Sequence, residues 1–198
     1  MNITLQPITE ENFLDAFNLK LKKEQESFVS HPVRSLAQAY VYRDQCQPFG
    51  IYHEDIMVGY VMVIYDYDIP EYDIWHMMID EAQQDKGYGK AAMQKVLEYI
   101  KTKPFGTSNR IALTCNTENA PALHLYTSLG FAPTGAKYDD EIELVLNLYN
   151  QILCTENEKT CTELAPAHAF SFLFTFSGYT CGLSGPRHFR CEFRTHAV

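Results

Sequence analysis

Along the first 150 residues the apolar positions switch between a period of two and a period near 3.6, and the order of those switches predicts the fold. Residues 2–8 (NITLQPI) set apolar and polar side chains in turn, as a half-buried strand does. Thr9 then stands as an N-cap, with Glu10 and Glu11 in a first turn where the helix dipole favours acids. Phe13, Phe17 and Leu21 continue an amphipathic helix, and a second helix is predicted from Ser35 towards Asp44 through Leu36, Ala39, Tyr40 and Tyr42. Pro48 to His53 and Ile56 to Tyr67 flank Glu54-Asp55, a hairpin signature, and Pro70 separates the second of these from a strand over Glu71 to Ile79. Gly87 to Lys101 reads as a helix whose apolar face is Ala91, Ala92, Val96, Leu97 and Ile100. Arg110 to Cys115 makes a short buried strand, and Asn119 to Leu129 another helix, stopped by Gly130. Strands over Phe131–Lys137 and Glu141–Leu148 close the series.

The order is strand, two helices, three strands, helix, strand, helix, two strands. That order excludes a plain bundle or sandwich and predicts an α/β (α+β) domain, with a mixed, mostly antiparallel central sheet flanked by helices. The pattern changes after Leu148. The expected division is a domain over residues 1–149 and a C-terminal extension over 150–198. In the extension, Phe170 to Ser177 alternates aromatics as a strand would. An edge strand, an oligomer contact and a poorly ordered appendage are all open for it, and no chemistry is read there.

Composition narrows the function. A chain of 198 residues is long enough to bury a core without a metal or disulfide staple. The cysteines (Cys46, Cys115, Cys154, Cys161, Cys181 and Cys191) contain no C-x-x-C pair, so no structural zinc and no other metal is expected. No apolar run reaches the ~18–20 residues that span a bilayer, and MNITLQPITEEN does not read as a signal peptide. The expected setting is therefore cytoplasmic, with no membrane partner. The formal net charge is −9, and residues 151–198 carry four basic and four acidic side chains, so the excess lies in residues 1–150. Such a domain repels nucleic acid, and no nucleic-acid partner is expected; it attracts polycations.

The chemistry concentrates in Gln84-Asp85-Lys86-Gly87-Tyr88-Gly89-Lys90, between a predicted strand and a predicted helix. Two glycines there allow a tight turn and a close ligand, and the first N–H groups of the helix, with its dipole, suit a pyrophosphate. Lys86 and Lys90 add charge. A third glycine of G-x-G-x-x-G is replaced by Ala92, and the P-loop pattern is absent. Downstream, Asn119 opens a helix as a cap, and Tyr126 lies two turns on, on about the same face as Asn119 and Ala122.

Taken together, Gln84-x-x-Gly87-x-Gly89 and Asn119-x-x-Ala122-x-x-Leu125-Tyr126-x-x-Leu129-Gly130-Phe131 resemble the paired signatures of the GNAT superfamily of N-acetyltransferases, over about residues 2–148. The resemblance implies a GNAT-like acyl-CoA N-acyltransferase fold with acetyl-CoA as cosubstrate. It implies that Gln84, Lys86, Gly87, Tyr88, Gly89 and Lys90 form the pyrophosphate turn. Met77, Met78 and Ile79 would pair with the pantetheine arm and hold the acetyl carbonyl, and Asn119 would touch the pantetheine region or order a water. Tyr126 would protonate the departing thiolate. A homodimer is possible by the same analogy. Asp85 departs from the pattern, which prefers glycine or a basic residue there; a side chain turned to the diphosphate would repel it.

An ammonium acceptor has to lose a proton before it attacks. Asp73, fourteen residues before Gly87, is the first candidate base, with Glu71 and His76 as runners-up. Strict alternation would put Asp73, Trp75 and Met77 on one face and His76 on the other, unless a bulge intervenes. Lys22–Val29 and Ile74-Trp75-His76-Met77-Met78-Ile79-Asp80 look similar to bacterial spermine/spermidine acetyltransferases. The implied acceptor is a small-molecule amine, foremost a polyamine, with Glu24, Glu26 and Trp75 as substrate-binding residues. Asp66 and Asp68 would add carboxylates, and Tyr65 and Tyr67 cation–π contacts, beside the splayed strands. An aminoglycoside or similar drug, a basic protein substrate, or a non-catalytic acyl-CoA sensor are the competing readings.

Overall fold

The computed structural model describes residues 2–148. The chain divides after Leu153, so all described residues fall in its first unit. The expectations for residues 150–198 lie outside the described residues.

Seven strands and four helices follow the predicted order. They are β1 (Ile3–Pro7), α1 (Phe13–Asn18), α2 (Pro32–Val41), β2 (Cys46–His53), β3 (Ile56–Asp66), β4 (Glu71–Ile79), α3 (Tyr88–Lys101), β5 (Arg110–Asn116), α4 (Ala120–Ser128), β6 (Ala132–Tyr138) and β7 (Glu141–Asn147). Two short 3-10 turns, Lys23–Gln25 and Glu81–Gln83, were not foreseen.

The helix starts differ from the sequence reading for local reasons. Thr9 closes a turn instead of capping a helix: its Oγ1 accepts the Glu11 N–H at 3.3 Å, and Asn12 Oδ1 accepts the Thr9 N–H at 2.8 Å. The helix then begins at Phe13, beyond Glu10 and Glu11, and ends before Leu21. In α2, Pro32 takes the first helical position, where its missing N–H costs nothing, and the His31 ring accepts the Val33 N–H at 3.2 Å. Ser35 therefore lies inside the helix, buried, with its Oγ 2.9 Å from the Tyr60 hydroxyl.

The sheet runs β1-β2-β3-β4-β5-β7-β6, and every neighbouring pair is antiparallel except β4–β5. The continuous apolar run of β3 is buried on both faces, as a central strand requires. On one face Val61, Val63, Tyr72, Ile74, Ile111 and Leu144 pack under α3 and α4. On the other, Tyr60, Met62, Ile64 and Met78 pack with Ala16 of α1 and Ala39 of α2.

The irregular place is the centre. β4 and β5 pair at Tyr72–Ile111 and Asp73–Ala112 and at no later register. Past Asp73, β4 stays with β3 as far as Ile79, and β5 follows β7. A cleft thus opens towards the C-terminal ends of the two parallel strands, the position where α/β sheets place ligands. Both following helices, α3 and α4, start at that end.

Candidate active site

The connection after β4 builds one lip of the cleft. Asp85 and Gly87 stand at φ 63° and 81°, two left-handed residues with Lys86 between them. Such alternation turns successive N–H groups towards one point and makes a hollow for an anion. No side chain caps α3, whose first main-chain bond runs from the Ala91 N–H to the Gly87 carbonyl at 3.2 Å. A Cβ built on Gly89 would lie 3.6 Å from Leu125 Cδ2 and 3.8 Å from Ile79 Cγ1. The start of α3, the flank of α4 and the end of β4 therefore meet at Gly89.

The side chains of this turn are placed less uniformly than the sequence implied. Lys90 is exposed beside the helix start. Lys86 instead folds back, its Nζ donating to Ala82 C=O and Gln83 Oε1, each at 2.9 Å. Tyr88 lays its ring 4.9 Å from that of His53. Gln84 turns inward: its Nε2 donates to the Ile79 carbonyl at 3.1 Å and to Gln25 Oε1 at 2.7 Å. Asp85 points away, 91% exposed and 3.6 Å from Lys22 Nζ, so the departure from the family pattern puts its charge on solvent and on a lysine.

Asn119 caps α4, its Oδ1 accepting the Ala122 N–H at 3.3 Å, as its position predicted. Tyr126 is 9% exposed, with its ring 6.0 Å from that of Phe131. Burial pushes the Tyr126 phenol well above its usual range, and the Cys115 and Glu141 charges push the same way. It stays protonated at every physiological pH.

On β4 the strict alternation fails. Val63 faces Ile74 and Met62 faces His76, so Trp75 has no partner across the strand and forms a β-bulge. Asp73 (opposite Ile64), His76 (opposite Met62) and Met78 (opposite Tyr60) therefore share a face, while Met77 and Ile79 turn to the α3 side. The expectation that His76 faces away from Asp73 is thereby corrected. Asp73 is the last residue of β4 paired with β5, at the apex of the cleft. His76 Nε2 lies 3.1 Å from Gln38 Oε1, and Trp75 sets its edge 5.4 Å from the Tyr42 ring. Glu71 and Glu143 both pair with Arg110, and Glu143 does so at 3.3 Å.

The Asp/Tyr-rich stretch is not at the cleft. It forms the β3–β4 turn, at the end of the sheet where β4 and β5 are still paired. Asp66 Oδ1 accepts the N–H groups of Asp68 and Ile69, and Tyr67 donates to Phe105 C=O. Tyr65 is buried on the α3 side and donates to Thr107 C=O. These four residues hold a turn and a loop. Glu24 and Glu26 are exposed on the segment after α1, which is tied to the turn at Gln84 and Asp85. The sequence reading missed Gln25, Gln38, Tyr42 and Arg110, because each acts through a partner 33 or more residues away.

Residues 13–131 match the sequence model of the Acetyltransferase (GNAT) family. The chain belongs to the GNAT family. It is accordingly an acetyltransferase, and its seven-stranded mixed sheet is the GNAT fold. Similar solved structures include the spermidine N-acetyltransferase of Vibrio cholerae in complex with CoA and spermine, at 18% identity and a TM-score of 0.63, over 76% of this chain and 98% of that one. The ribosomal-protein-S18-alanine N-acetyltransferase of Escherichia coli has 17% identity and a TM-score of 0.58, over 74% and 94%. The PaiA N-acetyltransferase of Thermoplasma acidophilum in complex with coenzyme A has 11% identity and a TM-score of 0.58, over 74% and 99%. At such identities the likeness is one of fold. No curated protein matches the sequence. Among the described residues no helix is long and apolar enough to cross a membrane.

Proposed function

We propose that the protein transfers the acetyl group of acetyl-CoA to a primary amine of a small cationic acceptor, foremost a polyamine such as spermidine or spermine. The observation that carries this reading is the cleft between β4 and β5, with the uncapped start of α3 at one lip and a carboxylate at its apex. The activity is assigned to residues 1–149, and to a reducing, cytoplasmic setting that suits the buried, unbridged cysteines Cys46 and Cys115.

The donor fits the chain. The main-chain N–H groups around Gly87, Tyr88 and Gly89, with Lys90 beside them, take the diphosphate. Gln84 contributes through its backbone, its amide being spent on Ile79 and Gln25, and Asn119 borders the cleft at the start of α4. The edge of β4 from Ile74 to Ile79, which β5 leaves unpaired, offers main-chain groups of Met77–Ile79 to an extended arm. Acetyl-CoA supplies a thioester carbonyl open to attack by an amine. N–H groups of that same edge are placed to receive negative charge as it develops on an oxygen. Asp73 takes the ammonium proton, with His76 on the same face as the alternate; Glu71, opposite Asp66 and paired with Arg110, lies outside the cleft. Tyr126, held protonated by burial, gives a proton to the leaving sulfur. Glu24, Glu26 and the face of Trp75 attract the remaining positive charges of the acceptor.

Two further considerations favour the polyamine. The domain holds the whole of the net negative charge, and a spermidine N-acetyltransferase is among the proteins of similar fold. The test is acetyl-CoA turnover, read by mass spectrometry of products, against spermidine, spermine, an aminoglycoside and a lysine-rich peptide. Acetylated spermidine or spermine at micromolar to low-millimolar KM is expected. Acetylation of the peptide or aminoglycoside alone would remove the polyamine and keep the transferase, whereas acetyl-CoA binding with no product would move the chain to the sensor reading.

A further inference from the structure

Two segments far apart in sequence are joined beside the cleft. The stretch after α1 and the connection after β4 exchange three sets of contacts. Asp80 Oδ2 accepts the Lys20 N–H at 2.9 Å, and the Lys20 carbonyl accepts the Glu81 N–H at 2.8 Å. Lys22 Nζ lies 3.6 Å from the Asp85 carboxylate. Between them Gln25 and Gln84 pair their amides head to tail: Gln84 Nε2 donates to Gln25 Oε1 at 2.7 Å, and Gln25 Nε2 to Gln84 Oε1 at 3.3 Å.

The middle contact differs from the other two in what it touches. Gln25 Oε1 also accepts the Lys22 N–H at 3.3 Å, which closes the 3-10 turn that contains Glu24 and ends at Glu26. Gln84 Nε2 also donates to the Ile79 carbonyl, the last of β4, at 3.1 Å. One amide pair therefore links the end of the strand, the first residue of the Gln84–Lys90 turn and the segment that carries Glu24 and Glu26. The two amides are half-buried, so water competes with them less than with the exposed Lys22–Asp85 pair.

We infer that Gln25 is a positioning residue that makes the segment Lys22–Glu26 part of the cosubstrate site, so that the donor orders the stretch that carries Glu24 and Glu26. The inference rests on the reading that Gln84–Lys90 holds the diphosphate of acetyl-CoA. A diphosphate fixing the main chain at Gln84 and Gly87 fixes the Gln84 amide, and Gln25 passes that order to Glu24 and Glu26. Coupling of this kind is reciprocal, so an acceptor seated on the segment tightens the donor by the same factor.

Residue-resolved hydrogen exchange of the full chain, with and without coenzyme A as the probe, tests this without an acceptor. In the wild type, coenzyme A is expected to slow exchange both in residues 84–90 and in residues 20–26. In Gln25→Ala the turn keeps its protection within about twofold, while the added protection of residues 20–26 falls by on the order of tenfold, since both bonds to Gln84 and the one from the Lys22 N–H are lost. Gln25→Glu still accepts from Gln84 Nε2 and Lys22 N–H, and is expected to restore most of it. The thermal midpoint should be the same in all three, which separates positioning from a loss of fold. Equal protection of residues 20–26 in wild type and Gln25→Ala, or protection of the turn alone in the wild type, overturns the inference. Absence of protection at residues 84–90 in the wild type instead overturns the reading of the cosubstrate site on which it rests.

Discussion

At Gly87 the backbone stands at φ 81°, where a Cβ is strained, whereas at Gly89 a Cβ meets only ordinary contacts with Leu125 and Ile79. The two glycines of the motif therefore answer different needs. Gly87→Ala is expected to cost about 1–2 kcal/mol in chemical denaturation and to weaken coenzyme A binding, because the strain displaces the turn. Gly89→Ala should leave the fold as stable as before or firmer by roughly 0.5 kcal/mol, with coenzyme A affinity held within about threefold by calorimetry. Loss of binding in both variants alike would show that Gly89 faces the ligand more closely than its protein neighbours indicate. Tyr126 belongs to the same scale. Tyr126→Phe removes one hydroxyl from a packed site, so coenzyme A binding should stay nearly intact while turnover falls roughly tenfold or more. Unchanged turnover would remove Tyr126 from the reaction and leave it a core aromatic.

Among the elements, β4 decides most, and its bulge at Trp75 can be tested by deletion. Removing one residue from a regular strand turns every later side chain to the opposite face. Deleting Trp75 removes the extra residue instead, so Asp73 and His76 keep their common face and the hydrophobic register survives. The deletion variant is expected to unfold cooperatively, a few degrees below wild type. Its turnover should drop on the order of a hundredfold, as the unpaired edge of β4 straightens. Deleting Val61 from the regular part of β3 should give no folded protein. If the Trp75 deletion also fails to fold, the bulge is structural and not merely local. This strand likewise marks how far the sequence could be read. Its span, Glu71 to Ile79, was legible from Pro70 and the apolar period, and so was the cap at Asn119. The bulge was not, because nothing in Ile74-Trp75-His76 differs from a regular strand until β3 is laid beside it. The Pro70 turn misled for a related reason. Its carboxylates and aromatics suit a cation, but which end of the sheet they occupy depends on where β4 and β5 part.

For the molecule as a whole, the buried thiol and phenols predict how stability changes in alkali. Burial pushes Tyr99 up to about 12 and Cys46 from 9.0 to about 11, and raises Tyr60 and Tyr126 further. A folded-state pKa above the unfolded one means that the native protein holds its proton more tightly. The stability these groups contribute is thus present at neutral pH and is lost as pH rises past their unfolded values, near 9 for the thiol and about 10 for the phenols. Denaturant midpoints should show no loss from these groups between pH 7 and about 8, then fall above about pH 10. Tyrosinate absorbance from the buried phenols should appear with unfolding and not before it. Titration of Tyr60, Tyr99 and Tyr126 in the folded state near the ordinary phenol value would contradict the burial of these three.

The short seam between β4 and β5 also says where this enzyme could be made in two pieces. Residues 102–107 stay with the first piece, since Phe105, Gly106 and Thr107 are bonded to Tyr65, Tyr67 and Tyr72. Ser108 bonds to Arg110 and belongs to the second. A chain opened between Thr107 and Ser108 would leave two half-sheets, each with its own ladder, sharing two residue pairs, the Arg110–Glu71 ion pair and a face of core. Expressed together, the halves are expected to reassemble, and expressed apart to be inactive, because the proposed site of acetyl transfer is the gap between them. Acetyl transfer would then serve as a reporter for whatever brings two fused partners together, and halves that never regain activity would show that the seam cannot form between separate chains.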